Sequence, residues 1–233
     1  MDGLSTVSSV SILQIVSNLD AISQFILFTL IAMSVFSWTV FISKTLKLRY
    51  ITYCLNKFDN LFWSSNSLNN LYTKTSQSND RNPLSTIFLS SMIECKKDNV
   101  QHLNIDLKNN LKVRIQHAIH VACNRETIKL EKNLNSLAMI GSTAPFIGIL
   151  GMVWSIINSF HAMSHSQNIN ISTIAPSISE ALFITAVGLA VAIPATIFHN
   201  LLTSKSDNIN NKVEEFSCEL YTLLSHSIDY DRI

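Results

Sequence analysis

Apolar residues in this chain gather into long blocks. Three blocks are almost wholly apolar: residues 22–42, 134–160 and 181–202. Each is close to or above the ~20 residues that a helix needs to span the hydrocarbon core of a bilayer. Outside the blocks the pattern turns helical. Leu46, Tyr50, Ile51, Cys54, Leu55, Phe58, Leu61 and Phe62 recur in helical steps, so the first span is predicted to continue out of the membrane unbroken. Residues 64–67 and 73–83 are polar, rich in turn formers, and read as loops. Residues 84–97 predict a short amphipathic helix. Leu103, Leu107, Leu111, Ile115, Ala118 and Ala122 mark another helical face, which runs through Leu130 and Leu134 into the second span. No Pro or Gly interrupts 84–140, so one long helix is predicted to leave the membrane there. Ile209, Val213, Phe216, Leu220 and Leu223 give the tail a helical pattern too. No strand signal competes. The expected fold is an all-α membrane protein. It has three transmembrane helices, two of them extended into a cytoplasmic helical bundle.

Charge gives this arrangement a direction. All 17 Lys and Arg fall within residues 44–132 and 205–232, and the net charge of +1 hides that asymmetry. Lys44, Lys47 and Arg49 follow the first span at once. The positive-inside rule then places 44–133 and the tail 203–233 in the cytoplasm. Segment 1–20 and the loop 161–173 lie on the outer side. The spans are 21–43, 134–160 and 174–202. No basic stretch precedes the first span, so it reads as a retained anchor and not a cleaved signal peptide. Charged residues make up only 14% of the chain, which argues against an ordinary soluble domain. Lysines are interspersed with acids, so nucleic-acid binding has no support. Cys54, Cys95, Cys123 and Cys218 show no paired spacing and read as reduced structural thiols. No phosphate loop, nucleophile elbow or catalytic carboxylate pair is visible, so neither an enzyme nor a cofactor is expected.

The spans carry the candidate chemistry. Between Lys132 and Lys205 the single charged side chain is Glu180. A lone acid in so apolar a stretch marks a functional position by default. A helix-end anion favoured by the dipole is the competing account. Thr185 lies five residues further on. By itself it is an ordinary membrane Thr bonding back to its own helix. Gly141, Pro145, Gly148, Met152, Ser155 and Ser159 share one face of the second span; Ala181, Thr185, Gly188, Ala192 and Ala195 share one face of the third. Such faces let helices pack closely in lipid, and that is their plainest reading. Pro145 and Pro194 each free a backbone carbonyl, which protein or water must solvate. Kinked packing helices and the walls of a wet cavity both fit. His161 and His165 have the spacing of a metal pair but no further ligand nearby, and no metal site is expected.

These blocks resemble the TolQ/ExbB/MotA proton-channel superfamily. In the second span Gly141-Ser142, Pro145, Ile147-Gly148, Gly151 and Val153-Trp154 are similar to its GS..P.IG..G.VW pattern. In the third, Ala175-Pro176, Ile178, Glu180-Ala181-Leu182, Thr185-Ala186, Gly188-Leu189 and Ala192-Ile193-Pro194-Ala195 match. Asn124-Arg125-Glu126 with Leu130-Glu131 matches the helix that enters the second span. Ser37-Trp38 and Phe62-Trp63-Ser64, with Leu68 and Leu71-Tyr72, resemble the TolQ branch. The likeness covers nearly the whole chain, and one position departs. Met152 stands where the superfamily usually has a pore-lining Thr, and Met can neither donate a proton nor bond water well.

The resemblance implies a homopentamer in the bacterial inner membrane around two helices of a TolR-like single-span partner. Proton flow would drive a TolA-like protein acting on the outer membrane. It implies a proton pathway through Thr185 and Glu180, with Ser155 a candidate to replace the missing hydroxyl. Helix packing falls to Gly141, Pro145, Gly148, Gly151, Gly188 and Pro194. An ExbB-like subunit energising TonB-dependent uptake and a non-conducting membrane scaffold are the alternatives.

Overall fold

A computed structural model describes residues 20–65, 67–78, 82–97, 104–164 and 171–230. They form helices α1 (Ala21–Ser64), α2 (Leu68–Gln77), α3 (Pro83–Lys97), α4 (Ile105–Glu131), α5 (Leu134–Ser164) and α6 (Ile171–Asp229), with no strand among the described residues. Three helical stretches, Ala21–Ser64, Ile105–His161 and Ala175–Asp229, are long and apolar enough to cross a membrane. The chain is thus an all-α protein with three membrane-spanning helices. The segment 1–19 and His165 lie outside the described residues.

The chain gathers into two compact units. The first holds the chain up to Phe41 together with Asn133–Asn200. Its core takes Ile26, Leu27 and Leu30 from α1, Ile140 and Ala144 from α5, and Ile184, Val191, Ala192 and Ala195 from α6. The opposite faces are apolar too: Phe25, Phe28, Phe146, Leu150, Leu182 and Ile193 are exposed. A helix apolar all round belongs in lipid or against other apolar helices. Phe41 stacks on Phe198 with centroids 3.9 Å apart, and Trp38 meets the same ring edge-on at 4.8 Å.

The second unit holds Ile42–Lys132 and Leu201–Ile233. Phe58 and Phe62 of α1 meet Phe88 of α3 and Phe216 of α6 in an aromatic cluster. Helix α3 packs along α4. Helix α4 meets α6 through Lys112–Asp229 at 2.7 Å and through Cys123 Sγ and Ser217 Oγ at 3.0 Å. The contacts run α1 to α3 to α4 to α6 and back to α1, a closed four-helix bundle. The start of α3 is fixed by a reciprocal cap. The Ser85 N–H donates to Asn82 Oδ1 at 2.8 Å, and the Asn82 N–H donates to Ser85 Oγ at 3.0 Å. Pro83, at the first helical position, has no N–H to leave unsatisfied.

Two expectations from the pattern need correction. Residues 73–77 are not loop but the end of α2. Leu71 and Thr75 are buried, and the Thr73 hydroxyl bonds back to Asn69 O at 2.9 Å. Tertiary packing outweighed local polarity. The short helix expected over 84–97 is α3, but the helix expected to run unbroken into the second span is divided: α4 ends at Glu131 and a break falls at Lys132 and Asn133, where Asn133 has φ 71°. Asn tolerates this left-handed region better than most residues. The break leaves carbonyls of the last turn of α4 without helical partners. Lys44, only 7% exposed, reaches across and donates its ammonium to Leu130 O at 2.9 Å.

Candidate functional site

The site lies in the first unit, where α5 crosses α6. Helices approach most closely where neither has a side chain in the way. Here Gly148 and Gly188 face each other within one chain. A Cβ built on Gly188 would lie 2.9 Å from Ala144 O and 3.0 Å from Gly148 Cα. One built on Gly148 would lie 3.2 Å from Gly188 Cα and 3.3 Å from Thr185 Cα. Gly151 closes the same strip, with Ile184 Cγ2 2.5 Å from its Cβ position. Gly141 sits against the Thr196 hydroxyl. The small-residue face of α5 is therefore occupied by α6 of the same chain.

Thr185 stands at this crossing, half-buried. Its hydroxyl lies 3.3 Å from Ala181 O on its own helix and 3.4 Å from Gly148 O across the interface. Both distances exceed the usual ~2.5–3.0 Å for a hydroxyl donor. One proton shared between two acceptors in a three-centre bond is weak toward each, so the hydroxyl is held loosely between two carbonyls. That leaves it able to exchange its partner for water or for an incoming group. Gly148 O is within reach because Gly148 has no side chain to hold Thr185 away: a Cβ there would lie 3.3 Å from Thr185 Cα.

Ser155 is buried, and its carbonyl accepts from Ser159 Oγ at 2.7 Å. Met152 is half-buried between Gly148 and Ser155 along the strip. Pro145 and Pro194 are half-buried, and their helices continue through them. Glu180 is half-buried. Helix α6 begins at Ile171, so Glu180 is more than two turns inside it. The dipole effect fades within the first turn, and a helix-end role loses its basis. Glu180 and Thr185 do not meet: five helical residues separate them by about 140° of rotation and about 7.5 Å of rise. Thr185 meets the α5 backbone, and Glu180 points elsewhere. No cluster of three His, Cys, Asp or Glu able to hold a metal occurs among the described residues.

Two polar side chains further along the contact of α6 with α5 have little or no sequence signal. Thr196 lies three turns after Thr185 on the same face and bonds back to Ala192 O at 3.0 Å. The eleven-residue spacing was the available signal. The ring of His199 lies 3.1 Å from Leu134 O, beside the break before α5. Nothing in its sequence context marked it.

Three membrane-spanning helices, two of them crossing at facing glycines with a hydroxyl at the crossing, define a helical membrane protein with a half-buried polar point. Residues 81–215 match the MotA/TolQ/ExbB proton channel family, and the chain belongs to it. It is 32% identical to the Tol-Pal system protein TolQ of Pseudomonas aeruginosa over 95% of this chain and 96% of the relative. It is 33% identical to the TolQ of Haemophilus influenzae, covering 86% of this chain and 88% of the relative. The biopolymer transport protein ExbB of Pseudomonas putida is 28% identical over 91% of this chain and 63% of its own length. The chain is accordingly a multi-pass inner-membrane protein, an energiser subunit of the TolQ/ExbB type.

Proposed function

We propose that the protein is the proton-conducting stator subunit of an inner-membrane Tol-Pal type motor. It works as a homopentamer with a TolR-like single-span partner. Proton motive force drives a TolA-like protein in support of outer-membrane integrity and cell division. The N-terminus is periplasmic, and the second unit and the C-terminus are cytoplasmic, following the basic residues. The role is force generation and not enzymatic catalysis. The observation that carries the reading is the loosely held Thr185 hydroxyl at the crossing of two spans. The Tol assignment is supported by end-to-end similarity to a Tol-Pal system protein.

Proton transfer needs a hydroxyl, a carboxyl or ordered water within hydrogen-bond reach. With Met152 apolar, Thr185 bears most of that task and Ser155 is next along the strip. The test is proton flux in liposomes containing the TolR-like partner. Thr185→Val keeps the size and removes the hydroxyl, and should abolish flux while the oligomer survives. Met152→Thr should be tolerated, and Ser155→Ala should fall between. Wild-type flux in Thr185→Val refutes the proton path. Baseline flux in the unmodified protein favours a scaffold, the reading that Met152 supports. An ExbB-like role is supported by the similarity to ExbB. Rescue of an exbB deletion but not of a tolQ deletion would select it.

A further inference from the structure

The second unit presents oppositely charged faces on opposite sides of its bundle. Between α1 and α6 lie Asp59, Glu215 and Glu219, beside Trp63, which is 56% exposed. One basic group, Lys212, lies on that face and donates to Asn56 Oδ1 at 3.0 Å, so three acids stand against one base. Between α3 and α4 lie Arg114, His117 and Arg125. The acid on that face, Glu94, is held by Lys97 and by Arg114 at 3.1 Å. Among the described residues, Arg125, Glu215 and Glu219 form no ion pair within the chain. The closed order α1, α3, α4, α6 puts the two faces back to back.

We infer that these faces are the two halves of one contact between copies of this chain: the acidic face of one copy seats on the basic face of the next. Two different, complementary patches make a head-to-tail contact, which generates a ring when the rotation closes. Height along the bundle agrees. Helices α4 and α6 run antiparallel with Cys123 beside Ser217 and Lys112 beside Asp229. That register sets Arg125 level with Glu215. In a ring whose axis follows the helices, equal heights meet, so Arg125 of one copy faces Glu215 of its neighbour. Trp63 supplies the large apolar contact that charge alone lacks. The inference rests on the homo-oligomer proposed above and adds which surfaces form it.

The test uses full-length chain in native membranes, with the four native cysteines replaced by serine. R125C and E215C are placed on separate copies, co-expressed and oxidised with copper phenanthroline. A disulfide-linked dimer should form only when both are present. A single chain carrying both substitutions should give a ladder above the dimer. A dimer from R125C alone would mean a like-to-like contact and overturn the inference. So would the absence of any cross-link where native mass spectrometry of the same preparation shows an oligomer. Monomers alone in that measurement would sink the oligomer itself, and this contact with it. Charge reversal in the otherwise native chain gives a second measure. Arg125→Glu should lower the oligomer fraction severalfold, and Glu215→Arg in the same chain should restore it. An unchanged fraction in Arg125→Glu refutes the pairing.

Discussion

Adding one methyl group at Gly188 tests the crossing of α5 and α6 directly. The new Cβ of Gly188→Ala would lie 2.9 Å from Ala144 O, 3.0 Å from Gly148 Cα and 3.3 Å from Gly148 N. All three are backbone atoms, so no rotamer change relieves them and the helices must separate. Overpacking of this kind costs about 1–3 kcal/mol. Ala is better than Gly in a helix by up to about 1 kcal/mol, which offsets part of the strain. From the middle of that range the net loss is about 1 kcal/mol, roughly 2–4 °C in Tm for a chain of this size. Gly141→Ala supplies the contrast. Its tightest contact is the Thr196 hydroxyl, a side chain that can turn away at the cost of its bond to Ala192 O, and the nearest backbone atom, Thr196 N, is further off at 3.3 Å. That bond is worth about 0.5–1.5 kcal/mol, close to the helix-propensity gain, so the net change is near zero. Thermal unfolding of the purified protein in detergent, followed by tryptophan fluorescence, gives the ranking. A Gly188→Ala protein as stable as wild type, or less affected than Gly141→Ala, would show that the two helices do not cross at these glycines.

Lys44→Met keeps the length of the side chain and leaves Leu130 O without its donor. The same unfolding assay should show a loss of about 1.5–3 kcal/mol, and no loss would mean that water serves that carbonyl equally well. Hydrogen bonds from Lys97 and then Arg114 hold the Glu94 carboxyl below its usual range. A lowered folded-state value stabilises above the unfolded pKa and is lost as pH falls through the folded one. Glu94→Gln should therefore flatten the acid limb of a stability profile below about pH 4, and an unchanged limb argues against the pairing. Burial pushes the Cys95 thiol up to about 12, whereas Cys218 is exposed. In intact cells an impermeant maleimide should label Asn168→Cys and miss Cys218. In permeabilised cells it should add Cys218 and still miss Cys95. Labelling of Cys218 from outside would reverse the proposed orientation.

Long runs were the legible part of this chain. The spans, the helical continuation of α1 and the tail pattern of α6 all follow from apolar residues repeated over many turns, where single exceptions average out. The short helix α2 did not, because its ten residues are mostly polar and only Leu71 and Thr75 are buried. The break at Asn133 carried no Gly or Pro. Its signal was an Asn beside two helical patterns, and a single Asn also sits on helix surfaces at small cost. The glycines of the spans were readable as a packing face. Which helix they pack on was not, since periodicity names a face and never its partner. Glu180 and Thr185 were close in sequence and read as a pair, yet helix geometry turns them to different sides.

Helix α6 runs unbroken for 59 residues. Its inward positions, from Ala181 and Ile184 through Leu202 and Ile209 to Leu224 and Ile228, keep one 3.6-residue phase throughout. One inserted residue would turn everything after it by about 100° and expose the whole downstream stripe. A one-residue change of length within α6 then needs a local π-bulge to keep that stripe inward. The joint at Lys132 and Asn133 restarts the phase, so a residue gained there disturbs neither α4 nor α5 internally. Among the described residues, that joint is where a change of length leaves the helical stripes on either side in phase.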